Sequence, residues 1–122
     1  MNEDFVTYEL AVKLKEKGYP QEGLVRIDEQ GKLYLGDENN DGCAAPTIPN
    51  ILKWLREEHH LHFEVVGAAY GYNLIISDTP DKGGTDRYYS HMNDDGPNDG
   101  GAWDKYEDCV LYGIEYVLDN LI

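Results

Sequence analysis

Apolar positions along this chain change their spacing several times, and each change marks an element. In TYELAVKLKEKG, residues 7–18, Leu10, Ala11 and Leu14 recur at helical spacing. Thr7 suits the N-cap, where a hydroxyl accepts from a free first-turn N–H. Lys13, Lys15 and Lys17 complement the negative end of the helix dipole, and Gly18 followed by Pro20 suits the stop. The spacing then shortens to two. In LVRIDEQGKLYLG, residues 24–36, Leu24, Arg26 and Asp28 alternate with Val25 and Ile27, and Gly31 lies in a turn before Leu33 and Leu35. That pattern predicts a hairpin.

The most apolar continuous stretch is residues 46–78, and the fold is expected to organise around it. Thr47 is its N-cap candidate, and Pro49 falls in the first turn, where its missing N–H costs nothing. Ile48, Ile51, Leu52 and Leu55 follow on one helical face, bordered by Trp54. At His59 the period changes again. His60, His62, Glu64 and Val66 alternate with Leu61, Phe63 and Val65, a strand that turns within 67–71 and returns as YNLIIS, residues 72–77. An isolated hairpin is marginal in water, so this helix is expected to pack on it.

Residues 37–46, DENNDGCAAP, read as a connecting loop. Residues 79–103 are dense in Gly, Pro, Asn and Asp and read as a flexible acidic segment, with RYYSHM at 87–92 as a candidate edge strand. In the last helix Asp104 and Glu107 form a D-x-x-E capping box, followed by Val110, Ile114, Val117, Leu118 and Leu121 at helical spacing. Gly113 in its middle costs about 1 kcal/mol against Ala, which marks a close approach to the sheet. The order α-ββ-α-ββ(β)-α predicts one α+β domain over residues 1–122. Its antiparallel sheet has four to five strands, with the helices on one face.

Length and charge narrow the function. A chain of 122 residues can bury a core without staples. No window approaches the roughly 18 apolar residues of a membrane span. The acidic start MNEDFVTYEL lacks the basic and apolar regions of a signal peptide, so the cytoplasm is the expected compartment, with Cys43 and Cys109 as free thiols. Twenty-four acidic residues against ten Lys and Arg give a formal charge of −14. That charge opposes direct binding to nucleic acid or an anionic membrane. It fits a basic protein partner, a cation, or solubility alone.

Three kinds of chemistry can be placed on named residues. Asp37, Asn39, Asp41 and Gly42 match the first half of a calcium loop, D-x-N-x-D-G, yet Ile48 stands where the bidentate Glu belongs. An Asx-rich turn explains the same residues. His60 and His62, two apart on a strand, could reach one Zn²⁺, but no HExxH or CxxC pattern completes the shell, and a solvent-facing strand explains them equally. Cys43 before the central helix could pair with a histidine as a nucleophile, whereas Cys109 reads as a small core residue. Finally, Tyr70, Tyr72, Tyr88 and Tyr89 cluster around the hairpin and the acidic segment with Asp94, Asp95 and Asp99. Tyrosine is enriched at protein interfaces, although each one also suits ordinary sheet packing.

Ala45-Pro46-Thr47, Lys53-Trp54-Leu55-Arg56-Glu57, Leu61-His62, Tyr72, Glu107 and the ending Leu118-Asp119-Asn120-Leu121-Ile122 resemble a group of small phage- and prophage-associated proteins of gut bacteria. The resemblance covers roughly residues 45–78 and 104–122, and the acidic insert at 79–103 departs from it. It brings no catalytic motif and no activity. The expectation is a non-enzymatic, phage-derived protein that binds a basic partner through an acidic, Tyr-bearing surface, with nucleic-acid charge mimicry as its sharpest form. The alternatives are a module binding Ca²⁺ or Zn²⁺ and an enzyme with its site beneath residues 79–103.

Overall fold

The computed structural model describes residues 6–21, 25–36, 42–69, 71–80, 87–90, 95–98 and 100–122. Contacts group the chain into two compact units, Met1–Ile51 with Ile122, and Leu52–Leu121.

In the first unit, α1 spans Tyr8–Glu16. Thr7 caps it as its sequence predicts, with Oγ1 accepting from the Leu10 N–H at 3.3 Å. Leu10, Ala11 and Leu14 are buried, and Val6 joins them. The helix stops where Gly18 turns left-handed, at φ 93°, and the Tyr19 N–H reaches back to the Leu14 carbonyl at 2.9 Å. The predicted hairpin forms as β1, Val25–Ile27, and β2, Leu33–Leu35, paired Val25↔Leu35 through Ile27↔Leu33. Asp28 ties the turn, its Oδ1 accepting from the Gln30 and Lys32 N–H groups. The loop expected over 37–46 contains a third strand, β3, Cys43–Ala44, which pairs antiparallel with β1 on the side away from β2. Helix α1 lies against β3.

Helix α2, Ile48–Glu58, begins in this unit and continues into the next. Of its predicted stripe, Ile48, Ile51 and Leu55 are buried and Leu52 is half-buried. The chain leaves it through His60, at φ 57°, where the helical spacing of the sequence ends.

The second unit is built on β4, Leu61–Ala68, and β5, Gly71–Asp78, paired without interruption from Leu61↔Asp78 to Ala68↔Gly71. The candidate edge strand is present as β6, Arg87–Tyr89, paired with β5 through a bulge at Ile76/Ser77. Helix α3, Tyr106–Asn120, crosses β4 and β5. Val110, Ile114, Val117 and Leu118 are buried as the spacing predicts, with Cys109 beside them, while Leu121 is the half-buried C-cap. Gly113 is the contact point: a Cβ there would stand 2.7 Å from Phe63 Cε2 and 2.9 Å from Leu74 Cδ2.

Three expectations are corrected. One sheet of four to five strands is replaced by two three-stranded antiparallel sheets, and the order α-ββ-α-ββ(β)-α becomes α-βββ-α-βββ-α. The extra strand is two residues of small side chains between Gly42 and Pro46, too short to show an alternation. The helix covering the β4–β5 hairpin is α3 rather than the adjacent α2. The capping box does not form either. Helix α3 starts one residue later, with Lys105 at the N-cap and no side-chain bond there, because Asp104 instead accepts from Asn98 Nδ2 at 3.0 Å.

Candidate interaction surface

The bulge at Ile76/Ser77 and the short β6 leave the first half of β5 without a regular third strand. Trp103 fills that place. Its N–H donates to the Tyr72 carbonyl at 3.0 Å and its carbonyl accepts from the Tyr72 N–H at 2.7 Å. Asn98 shapes the turn behind it, with Oδ1 accepting from the Gly100 and Ala102 N–H groups at 3.0 and 2.8 Å. Ala102 and Trp103 are buried. The described part of 95–103 is therefore sewn onto the sheet, and NDG at residues 98–100 was its sequence signal.

Beside this turn the tyrosines gather. Tyr89 is 2% exposed, so of the two readings its sequence allows, sheet packing holds for it rather than a place on an interface. Its ring meets those of Tyr112 and Tyr116 edge-on at 5.8 and 4.9 Å, and Tyr112 also lies 4.9 Å from Trp103. One carboxylate serves two phenols: Asp95 Oδ2 accepts from the Tyr89 hydroxyl at 2.8 Å and the Tyr112 hydroxyl at 3.0 Å. Burial, then the bond to Asp95, holds the Tyr89 hydroxyl far above its ordinary 10.0. Tyr112 rises for the same two reasons. Both phenols therefore keep their protons near neutrality and act as hydrogen-bond donors to Asp95.

Neighbouring tyrosines face outward. Tyr88 is 40% exposed and donates to Asp78 Oδ1 at 2.7 Å. Tyr106, 45% exposed at the start of α3, packs edge-on with Tyr72 at 5.9 Å. Around Tyr106 the exposed residues are Asp104, Lys105, Glu107 and Asp108, and Glu115 and Asp119 are exposed further along the helix. Of the residues expected to meet a partner, the structure thus joins Tyr89 to Asp95, leaves Tyr88 exposed and holds Tyr72 half-buried. Tyr70, Asp94 and Asp99 lie outside the described residues.

The metal candidates divide similarly. Asp37, Asn39 and Asp41 lie outside the described residues. Just beyond them, Arg26 donates from Nη2 to the Gly42 carbonyl at 3.2 Å and from Nη1 to the Gln21 carbonyl at 2.8 Å. Arg26 is 1% exposed, and its fixed positive charge opposes a cation beside Gly42. Its place on a strand between apolar neighbours gave no sign of this burial. His60 and His62 flank the start of β4, and no group of three or more metal-ligating side chains is found among the described residues. Cys43 is buried in β3, not placed at the start of α2, and Cys109 is buried in α3, where burial pushes its thiol up to about 11. Both cysteines are free, and neither is exposed as a nucleophile. Among the described residues no helix is long and apolar enough to cross a membrane. No known protein family, characterised protein or solved structure matches the chain.

Proposed function

We propose that this chain is a non-enzymatic binding protein whose acidic, tyrosine-bearing α3 surface docks a basic protein partner. One observation supports it most. Tyr106 stands exposed at the head of a helix whose outward positions include Glu107, Asp108, Glu115 and Asp119. An exposed aromatic at the end of an acidic helix offers a partner an apolar anchor, and the acids along that helix supply electrostatic steering. The phage-type resemblance of residues 45–78 and 104–122 belongs to the same reading.

The spacing decides between two versions. At about 1.5 Å of rise per residue, Glu107 to Asp119 spans roughly 18 Å and carries four acids. A single DNA strand places a charge about every 3.4 Å of axis, a denser array. The surface therefore suits a basic partner generally better than a close copy of a phosphate ladder.

The test is binding to a panel of basic proteins, half of them DNA-binding domains, across a salt series and against duplex DNA competitor. Binding is expected to fall steeply with salt and to weaken about tenfold or more in a Glu107→Gln/Asp108→Asn/Glu115→Gln variant. Silence toward every basic protein at low salt, or indifference to the triple substitution, would end this reading.

A further inference from the structure

The second unit leaves one long strand at the edge of its sheet. Strand β4 has eight residues and, among the described residues, pairs with β5 on one side and with no strand on the other. Glu64, Val66 and Gly67 are exposed along it, and Val66 is 42% accessible. Natural edge strands are guarded by charges, above all lysine, by proline, bulges or shortness. This one carries a single charge, Glu64: LHFEVVGA contains no Lys or Pro, and its register with β5 is unbroken.

Hydrogen bonds at its two ends fix which backbone groups face outward. Tyr72 spends both its N–H and its carbonyl on Trp103, so its partner Gly67 faces away from β5. At the other end, Thr79 N–H donates to the His60 carbonyl, one step beyond the pair Leu61↔Asp78, so His60 faces inward. Strand alternation from either end gives the same answer: Leu61, Phe63, Val65 and Gly67 direct their N–H and carbonyl groups outward.

We infer that β4 pairs with β4 of a second copy of this chain, antiparallel about a two-fold axis at Phe63. Outward groups must meet outward groups, which restricts the two-fold centre to a few registers. Centring on Glu64 would place Glu64 against itself, a like-charge pair. Centring on Phe63 sets Leu61 against Val65, Phe63 against Phe63, and His62 against Glu64 twice. The imidazole–carboxylate pairs are complementary, and they occupy the close, non-hydrogen-bonded positions. Phe63 is only partly buried although it packs beneath Gly113, so its ring has apolar surface left for its counterpart. The two sheets then form one of six strands, closed by symmetry.

The contact is smaller than the 1,200 Å² or so of a standard interface, so the dimer is weak and forms at high concentration. Its salt dependence has a sign of its own. Two chains of charge −14 repel, so added salt strengthens the dimer, whereas salt weakens the binding of a basic partner. The inference therefore stands apart from the acidic-surface reading.

Sedimentation equilibrium over a concentration series, at two salt levels, tests it. Expected is a monomer–dimer equilibrium that shifts toward dimer at the higher salt. Val65→Pro removes an N–H that faces outward and no internal bond, and should weaken association by at least about tenfold. His62→Glu should also weaken it, and His62→Glu/Glu64→His, which keeps the composition, should restore it. This pair keeps the test readable if the proline variant unfolds. A monomer at every concentration, a dimer indifferent to Val65→Pro with its fold intact, or a double variant no better than His62→Glu would overturn the inference.

Discussion

Gly113→Ala probes the seat of α3 on the β4–β5 hairpin. In an open helix interior the change would stabilise by about 1 kcal/mol, because alanine loses less backbone entropy. Here the new methyl would stand 2.7 Å from Phe63 Cε2 and 2.9 Å from Leu74 Cδ2, inside van der Waals contact with both. Phe63 is half-buried and can shift, but Leu74 is 0% exposed and has no free space to enter. Overpacking a filled core costs about 1–3 kcal/mol. The two terms leave a net loss of up to about 2 kcal/mol. For a chain of this size that lowers the melting temperature by roughly 3–5 °C per kcal/mol. Thermal melts of the wild type and variant read the sign directly. Leu74→Val should then recover part of the loss in the Gly113→Ala background while destabilising the wild type, a coupling of about 1 kcal/mol. A variant that melts higher than wild type would show that helix propensity wins and that the seat is not tight.

Other substitutions test the remaining contacts. Asp95→Ala strips the acceptor from the Tyr89 and Tyr112 hydroxyls and should cost about 1–3 kcal/mol in urea unfolding, with Asp95→Asn milder; wild-type stability for Asp95→Ala would refute the shared bond. Arg26→Lys loses the fork that reaches both Gln21 and Gly42 carbonyls, and a loss of about 1–3 kcal/mol is expected, against no change if the guanidinium is incidental. Alkaline pH should destabilise the fold. Free tyrosine ionises near 10.0, while Tyr89, Tyr112 and the partly buried Tyr19 are raised above it, so above that pH the unfolded chain binds fewer protons and stability falls. Phenolate absorbance should rise in two phases, the later one coinciding with loss of helical signal. A single phase near 10, with the helices intact, would contradict it.

Much of the architecture was legible because it rests on periodicity. The stripes of α1, α2 and α3 and the alternation of β4 follow from spacing, and the tight approach at Gly113 from a glycine in mid-helix. The failures share a cause as well. Strand β3 is too short to carry a period, and Asp104 was diverted from capping by Asn98, a partner six residues away in a loop. Tyr89 and Arg26 show that residue type does not reveal burial when the polar atoms find partners inside: Asp95 for one, two backbone carbonyls for the other. The candidate surface was legible as composition only. Which acids stand beside an exposed aromatic depends on how α3 lies on its sheet.

The position of Trp103 has an optical consequence. Both tryptophans, Trp54 and Trp103, fall in the Leu52–Leu121 unit, and Trp103 lies buried against the Tyr112 ring. Emission excited through the nearby tyrosines will therefore drain into Trp103 and report on the packing around it. The residues of Met1–Ile51 hold no indole, so circular dichroism sees them and tryptophan fluorescence does not. Overlaying the two signals in one denaturation series would separate cooperative unfolding of the whole chain from stepwise loss of its units, with no label added.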